Sequence, residues 1–305
     1  LELLKLKREY AGSQLIAGGT DLTQRGGEAE CMSLISLEGV KELNEIITTE
    51  EAWEIGAAVP LTEITEHLGH ECQTFDKIMR RFGSRAVRNR ATLGGYLATA
   101  WETGQLTPLL MALNARVTLL SEDGERYAPI SIFFTEGGGT ILTTDEVIRS
   151  IIIPRHTEST LSDRGITTRL CDTYTVAPRR TLCEPYATGG FAVELRDRKI
   201  AKAWIAYSGI DKHPVRARDA EQYLAGKVWC EKTAFGILPV LVESIQVTDD
   251  RNEIADAEYR KQLVVTLFQK FFFQHPSADS VRPEMLTATV DFAGLDEPFF
   301  DAPTD

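Results

Sequence analysis

Two short segments place a Gly-Gly pair beside a threonine, and this arrangement can bind a phosphate group. In residues 15–22 an apolar run opens into Gly18, Gly19 and Thr20, and residues 91–95 read Ala-Thr-Leu-Gly-Gly. Glycine lets a ligand approach the main chain closely, and successive N–H groups in such a turn can form an anion-binding concavity. An ordinary connecting turn is the alternative interpretation of either segment taken alone.

The residues before the second pair favour an anionic ligand. Five arginines lie between residues 80 and 90, and arginine is well suited to phosphate groups. The alternative is a solvated basic helix followed by an ordinary turn. Gly137, Gly138 and Gly139 are poor strand formers and predict a further loop that a ligand can approach.

Other side chains that could bind a metal or catalyse a reaction do not form a convincing site. His67 and His70 stand near Cys72 and could in principle bind zinc. A solvated helix end beside Gly69 is the favoured interpretation, so we predict no metal site. We also find no pattern of a general acid and base or of an activated nucleophile, and we predict no catalytic side chain.

The first loop is expected to lie in a small α/β unit. Residues 1–10 have the pattern of an amphipathic helix, and we expect the natural chain to begin upstream of Leu1. Apolar runs lead into Gly18 and span residues 32–37, with a glycine-rich connection between them. Two strands of this kind, joined across a helix, predict a parallel βαβ unit.

The second loop is expected to lie in a larger unit of strands and helices. Alternation at residues 53–57 predicts a half-buried strand, and Thr62 stands where a helix N-cap belongs. The apolar run 106–113 predicts a helix with a proline near its start. Residues 116–120 and 147–153 predict two further strands.

The C-terminal half is predicted to combine a hairpin with helices. Residues 155–188 are expected to be rich in loops, and strands at 189–196 and 200–207 are expected to pair across Asp197-Arg198. Helices are predicted at residues 218–224, 234–244 and 255–273. In the last of these, apolar or aromatic residues recur every four positions, at 259, 263, 267 and 271, and predict a stripe that faces the core.

Composition excludes several classes of protein. The chain has 305 residues, 43% of them hydrophobic, and a formal net charge of −12, which disfavours nucleic acid as a partner. No apolar run is long enough to span a membrane. The five cysteines are scattered and form no C-x-x-C pair. This pattern favours reduced thiols in the cytoplasm and counts against an iron–sulfur cluster on this chain.

With both glycine loops in view, the chain resembles the FAD-binding subunits of the molybdenum hydroxylases, a family that includes the flavin domains of xanthine dehydrogenase and carbon monoxide dehydrogenase. The resemblance covers residues 1–273 and leaves the acidic tail outside. Its landmarks are AGGTDL at 17–22, IGAAV at 55–59, VRNRATLGG at 87–95, LLMALNA at 109–115, FFT at 133–135, DEVI at 145–148, IP at 153–154, PVRA at 214–217, AGK at 225–227 and EYR at 258–260.

The resemblance implies an α+β fold with two domains. Residues 1–157 would form the FAD-binding domain, with a small parallel βαβ part at 1–50 and a larger part on an antiparallel sheet at 51–157. Residues 158–275 would form a C-terminal domain of an antiparallel sheet and helices, and 276–305 would be an acidic tail or linker. FAD would lie between the two parts of the first domain.

Residue by residue, the resemblance implies that both glycine loops contact the FAD diphosphate. The implied cofactor-binding residues are Ala17, Gly18, Gly19, Thr20, Asp21, Leu22, Thr92, Gly95, Tyr96, Gln105 and Arg179. Threonine hydroxyls would add to the main-chain donors, and Asp21 is expected to use its N–H because its carboxylate would repel a phosphate.

Two of these positions depart from the family pattern. The family usually has Asn where this chain has Tyr96, and Asp where it has Gln105. Arg179 or Arg180 falls where the family carries a basic residue near the flavin ring, and a cation there would stabilise a reduced, anionic flavin. The loop at residues 137–139 would lie beside the ring.

The resemblance thus implies an electron-transfer flavoprotein subunit. Electrons from a molybdenum-cofactor subunit would pass through an iron–sulfur subunit to FAD on this chain and leave to NAD or another acceptor. The alternative is a structural subunit of the same complex that has lost its flavin, which the changes at Tyr96 and Gln105 would permit.

Overall fold

The chain begins with a small parallel unit. The computed structural model describes residues 2–24, 33–155, 159–162, 165–179, 183–247 and 257–276. The unit contains α1 (Glu2–Glu9), β1 (Gln14–Ile16), α2 (Thr20–Gln24) and β2 (Leu34–Ser36). β1 and β2 pair in parallel, with Leu15 opposite Ile35. The predicted βαβ unit is therefore confirmed.

An apolar cluster attaches this unit to the next one. Leu3 and Leu4 on the buried face of α1 pack with Leu37, Leu43 and the more distant Val147. Burial of apolar side chains stabilises the contact by roughly 25 cal/mol for each Å² removed from water. The small parallel unit is thus held against the larger sheet by side chains that are far apart in sequence.

The larger unit is an antiparallel sheet covered by helices. Its strand order is β3-β4-β7-β5-β6. The strands are β3 (Ile46–Thr48), β4 (Ala52–Gly56), β5 (Arg116–Ser121), β6 (Gly124–Pro129) and β7 (Val147–Pro154). The helices are α3 (Leu61–Leu68), α4 (Gln73–Met79), α5 (Arg85–Arg88), α6 (Leu93–Ala98) and α7 (Leu106–Ala112).

The alternation predicted around residues 53–57 is confirmed, because Trp53, Ile55 and Ala57 are all buried. The predicted N-cap at Thr62 is wrong. Helix α3 already begins at Leu61, after Pro60, and the Thr62 hydroxyl donates to Asn89 Oδ1 at 2.7 Å. Proline has a fixed backbone that suits entry into a helix, so the chain turns there without a side-chain cap.

The C-terminal part is a second antiparallel sheet packed on helices. Its strand order is β12-β11-β10-β9-β8. The strands are β8 (Ser159–Ser162), β9 (Gly165–Val176), β10 (Ala187–Arg196), β11 (Lys199–Ser208) and β12 (Val215–Arg216). The helices are α8 (Arg218–Leu224), α9 (Glu231–Gly236), α10 (Leu238–Ser244) and α11 (Ala257–Gln274).

The predicted hairpin at Asp197-Arg198 is confirmed, and both turn residues have positive φ, at 48° and 66°. The loop-rich prediction for residues 155–188 is wrong, because β8 and the long β9 lie there. β9 is rich in threonine and lacks a regular alternation of apolar and polar residues. Threonine is β-branched and favours strands, and pairing along the whole of β10 stabilises β9.

The helix predictions for this part need two corrections. The helix predicted at 234–244 is two helices, α9 and α10, with Pro239 in the first turn of the second. In α11, Leu263, Leu267 and Phe271 are buried as predicted, but Tyr259 is 39% exposed, with its ring against the partly buried Tyr186. The acidic tail lies outside the described residues from position 277 onward.

No helix in the described part of the chain combines the length and apolarity needed to cross a membrane.

Candidate functional site

The first glycine loop, residues 17–20, connects the end of β1 to the start of α2. Gly19 has φ +68°, a left-handed conformation that favours glycine. The N–H groups of Gly18, Gly19 and Thr20 donate no hydrogen bond to any residue that the structure describes. All three residues are only partly buried. Three consecutive donors that remain available are what an anion-binding loop requires.

Helix α2 continues directly from this loop. The carbonyl oxygen of Gly19 accepts hydrogen bonds from Thr23 N and Thr23 Oγ1, both at 3.0 Å. Asp21 and Leu22 lie in the first turn, and the Asp21 Oδ1 atom is shielded from solvent. One of the two carboxylate oxygens is therefore enclosed by the protein, although the residue as a whole is half-buried.

The second glycine loop, residues 91–95, is built differently. Thr92 is the N-cap of α6, and its hydroxyl oxygen accepts from Gly95 N at 3.1 Å. Gly94 N donates to Ala57 O at 3.0 Å. The N–H groups of Gly94 and Gly95 are therefore used within the fold. Thr92 Oγ1 acts as an acceptor in its cap, which leaves its hydroxyl hydrogen for another acceptor.

The two loops meet through main-chain atoms. A Cβ atom added to Gly18 would lie 1.7 Å from Arg90 O, so only glycine fits this approach. The Arg90 guanidinium also pairs with Glu38, which follows β2. The structure thus places the first glycine loop against the residue that immediately precedes the second.

Gly94 has a similar role inside the larger unit. A Cβ atom at this position would lie 2.5 Å from both Ala57 Cβ and Ala57 O. Leu61 N donates to Ala91 O at 2.8 Å and fixes the start of the same loop. The second glycine loop is therefore anchored to the end of β4 and the start of α3.

Tyr96 directs its hydroxyl into the protein. Tyr96 Oη accepts from Leu106 N at 2.9 Å and Thr107 N at 3.1 Å, and lies 3.1 Å from Thr107 Oγ1. Burial raises the pKa of the Tyr96 hydroxyl to about 12, although hydrogen bonds from Thr107 and Leu106 oppose the shift. The hydroxyl is therefore neutral and bound to the first turn of α7.

Gln105 and Arg179 differ from Tyr96 in that their side chains bond to no other part of the described chain. Gln105 directly precedes α7 and is partly buried, without a side-chain cap. Arg179 is exposed in the connection between β9 and β10, and its carbonyl accepts from Cys183 Sγ. Arg180 lies outside the described residues.

The loop at residues 137–139 forms a tight turn with open space around it. Gly138 and Gly139 have φ +79° and +92°. Thr135 Oγ1 donates to Gly138 O at 2.7 Å, and no atom would lie within 4 Å of a Cβ added to Gly137 or Gly138. The turn is thus held at its base and open at its tip.

An ion pair between the exposed Arg126 and the buried Glu146 supports the chain just after this turn. Arg126 donates to both oxygens of Glu146, with Nη2 at 2.7 Å from Oε2, and Thr143 N donates to Oε2 at 3.0 Å. The hydrogen bonds from Arg126 hold the pKa of Glu146 at about 2, well below its ordinary value, against the effect of burial. Sequence reasoning did not identify this pair.

A cleft of about 530 Å³ lies elsewhere, between α4 and β9. None of the glycine-loop residues lines it. At one end Lys77 Nζ donates to both oxygens of Asp172, at 2.7 and 2.8 Å, and Tyr174 Oη donates to Oδ2 at 2.8 Å. The cleft therefore follows the contact between the larger unit and the C-terminal sheet, not the predicted dinucleotide site.

Asp172 carries its charge at this contact. Burial raises its pKa, but the nearby His275 and the hydrogen bonds from Lys77 and Tyr174 outweigh that effect and lower the pKa to about 2. No sequence signal pointed to this residue, because Lys77 and His275 lie on α4 and just after α11, far from Asp172 in sequence.

Comparison with known proteins identifies the family. The family model described as the FAD binding domain in molybdopterin dehydrogenase matches residues 1–156. A second, described as the CO dehydrogenase flavoprotein C-terminal domain, matches residues 172–274.

Among individual relatives, the chain is 29% identical to the nicotinate dehydrogenase FAD-subunit of Eubacterium barkeri over 273 residues, covering 85% of this chain and 86% of that protein. It is 28% identical to xanthine dehydrogenase 1 of Arabidopsis thaliana over 290 residues, covering 88% of this chain and 20% of that protein. The chain therefore spans about a fifth of the length of the xanthine dehydrogenase.

Solved structures share the fold. Carbon monoxide dehydrogenase from Hydrogenophaga pseudoflava superposes with a TM-score of 0.78 at 19% identity, covering 88% of this chain and 91% of the other. Quinoline 2-oxidoreductase from Pseudomonas putida 86 superposes with a TM-score of 0.76 at 22% identity, covering 90% and 92%. The α+β fold with a two-part first domain is confirmed. The chain belongs to the FAD-binding subunits and domains of the molybdenum hydroxylases, a family whose cofactor is FAD.

Proposed function

We propose that the first glycine loop binds the diphosphate of FAD and that this chain is the flavin-carrying part of a molybdenum hydroxylase. The observation that carries the proposal is the set of three N–H groups at Gly18, Gly19 and Thr20, which have no acceptor among the described residues. Such groups favour a negatively charged ligand. Their position beside Arg90 brings the second glycine loop to the same ligand.

The contributions of the two loops differ in this proposal. Ala17 to Leu22 supply main-chain donors and a surface that admits close approach. Thr92 supplies its hydroxyl hydrogen, and Gly95 supplies space rather than a donor because its N–H is used in the cap. Gln105 offers an amide that can donate or accept, and Arg179 offers an exposed cation.

The proposed electron path runs from a molybdenum-cofactor subunit, through an iron–sulfur subunit, to FAD on this chain and on to NAD or another acceptor. This part of the proposal rests on the family, whose E. barkeri relative is named as the FAD-subunit of a dehydrogenase. The chain's own residues would bind and orient the cofactor and set the charge around it. We place this complex in the cytoplasm; the free thiols of Cys72, Cys171, Cys183 and Cys230 support that placement.

We also propose domain boundaries at 1–157 and 158–275, with the division of the first domain near residue 50. Two family matches, to residues 1–156 and 172–274, support them. So do two separate apolar cores, one around the β4-β7-β5 sheet and the other between β10, β11 and α11.

A visible absorption spectrum of the purified protein, or of the complex it forms, tests the function. We expect flavin bands at close to one FAD per chain. A fully folded but colourless chain that takes up no added FAD would instead support the alternative, a structural subunit without flavin.

Substitution of Gly19 tests the site. Gly19→Val should abolish FAD binding, because valine resists φ +68° and its side chain would obstruct the N–H groups. Gly226→Val is the matched control, since Gly226 has φ +77°, open space around it and a position between α8 and α9. The control should be strained to a similar degree but keep its flavin. Unchanged FAD occupancy in Gly19→Val would refute the site assignment.

A further inference from the structure

Helix α7 starts without a side-chain cap of its own. The main-chain conformation of Gln105 is already helical, with φ −67° and ψ −32°, so Gly104 holds the capping position and has no side chain to offer. An N-cap side chain ordinarily accepts from the second or third N–H group of the helix. Counted from Gln105, those groups belong to Leu106 and Thr107.

Tyr96 supplies the missing oxygen from another helix. Its hydroxyl accepts from these same two donors, Leu106 N at 2.9 Å and Thr107 N at 3.1 Å. A Cβ atom added to Gly104 would lie 2.4 Å from Tyr96 Oη, so the hydroxyl occupies the space that a capping side chain would fill. Gly104 is not among the residues with positive φ, and the glycine is therefore required by space and not by conformation.

The same segment is held from the opposite side. Ser208 Oγ donates to Gly104 O at 2.9 Å, and Gly209 N donates to Glu102 O at 2.9 Å. Both donors lie at the end of β11. Tyr96 and β11 together fix the chain from Glu102 to Leu106 between α6, which carries the second glycine loop, and the C-terminal sheet.

Gln105 lies within this fixed segment, yet its side chain makes no hydrogen bond to the described residues. We propose that Tyr96 is a positioning residue: it caps α7 in place of residue 104, and so holds Gln105 where its amide can bind FAD, without contacting FAD through its own hydroxyl. The inference rests on the proposed function, because it concerns the same cofactor.

This assignment explains how the two departures from the family pattern fit together. A buried tyrosine hydroxyl that already accepts two N–H groups and lies within hydrogen-bond distance of Thr107 Oγ1 has little capacity left for a ligand. Of these two positions, only Gln105 is therefore left to contact the cofactor. The Tyr96 ring also packs edge to face with Phe82, with ring centroids 5.8 Å apart. This contact helps to fix the direction of the Tyr96 side chain.

The test compares FAD dissociation constants and thermal midpoints for a set of variants of the full chain, with the midpoints measured on flavin-free protein because bound FAD would itself raise them. Tyr96→Phe removes the cap and should weaken FAD binding about tenfold while lowering the midpoint. Adding Gly104→Ser to Tyr96→Phe restores an oxygen at the capping position, once the ring edge and the Trp101 carbonyl, 3.1 and 3.0 Å from the new Cβ, yield a few tenths of an ångström. The double variant should regain most of both the midpoint and the FAD affinity.

The rescue decides between positioning and contact. If the Tyr96 hydroxyl touched FAD, Gly104→Ser would restore the midpoint but not the affinity, and that result would overturn the proposal. Gln105→Ala in the otherwise natural chain is a second, independent test. It should leave the midpoint unchanged and weaken FAD binding roughly five- to tenfold; unchanged affinity in this variant would also overturn the proposal.

The outcomes separate this inference from the proposed function. A natural chain that folds but binds no FAD would refute the proposed function itself. A natural chain that binds FAD, alongside a Gln105→Ala variant of equal affinity, would leave the function intact and refute only the role assigned to Tyr96 and Gln105. Should Tyr96→Phe fail to fold, Gln105→Ala still carries the test.

Discussion

The Cα atom of Gly18 packs against the main-chain carbonyl of Arg90, so closely that an added Cβ would lie 1.7 Å from the oxygen. This contact joins the small parallel unit to the larger one at the point where the two glycine loops meet. A main-chain carbonyl cannot move without disturbing Leu61 and the start of α3, which bond to the adjacent Ala91.

Gly18→Ala should therefore separate the two loops. We expect a loss of about 1 to 3 kcal/mol in the free energy of unfolding, as for other overpacked sites, together with weaker FAD binding. Urea denaturation and FAD titration measure the two effects. Gly12→Ala is the control, because no atom lies within 4 Å of a Cβ at Gly12. Equal stability and affinity in the two variants would contradict the importance of the Gly18 contact.

Glu146 should make the free energy of unfolding depend on pH in the acidic range. Its pKa is held at about 2 by Arg126, below the ordinary value of 4.5. Because the pKa is lower in the folded state, ionised Glu146 contributes fully to the free energy of unfolding above about pH 4.5. This contribution is lost as the pH falls towards 2. Glu146→Gln should cost about 2 kcal/mol at neutral pH, and the difference from the natural protein should shrink in acid.

Urea midpoints measured between about pH 7 and about pH 3 check this dependence. Glu136→Gln is the matched control, because Glu136 is exposed on the nearby glycine turn and bonds to no described residue. It should change stability little at any of these pH values. A constant difference between Glu146→Gln and the natural protein across the range would count against the assignment.

The Lys77–Asp172 pair should stabilise the contact between the larger unit and the C-terminal sheet. Asp172 is 7% exposed, and Asp172→Asn removes a charge that Lys77 and Tyr174 both bind. We expect a loss of about 1 to 3 kcal/mol. Asp76→Asn breaks an exposed pair with Arg80 instead and should cost at most about 0.5 kcal/mol. Chemical denaturation of both variants tests the contrast, which would disappear if burial did not matter.

Arg179 should influence the flavin if the proposed site is right. Its side chain is exposed, so Arg179→Ala should leave stability unchanged. Loss of a cation near the flavin should make reduction less favourable, by roughly 10 to 30 mV for a two-electron couple. A redox titration of the bound flavin measures the shift, with the exposed Arg196→Ala as control. Identical potentials in the natural protein and Arg179→Ala would remove Arg179 from the site.

Local chemistry in the sequence was sufficient to predict several features. The two glycine loops, the parallel unit around the first and the hairpin at Asp197-Arg198 all depend on residues close in sequence. A glycine that adopts φ +68° and a two-residue turn between strands can both be recognised from the residue types nearby, without knowledge of the fold. The resemblance to the family rests on the same local motifs.

The long strand β9 and the hydrogen bonds of Tyr96 could not be predicted this way. β9 is stabilised by pairing with β10 rather than by an apolar pattern of its own. In the sequence Tyr96 looks like a lost cofactor contact, whereas in the structure its hydroxyl binds Leu106 and Thr107 in the next helix. The sequence around a tyrosine does not indicate which helix its hydroxyl will cap.

The sequence by itself therefore determined which residues could bind a phosphate, because glycine freedom and threonine hydroxyls are properties of the residues themselves. Only the tertiary structure decided which N–H groups remain available. It uses those of Gly94 and Gly95 within the fold and leaves those of Gly18, Gly19 and Thr20 without an acceptor among the described residues. The packing of distant segments brings a hydrogen-bond acceptor such as Ala57 O to Gly94 N. The spacing of the residues within a loop does not predict that packing.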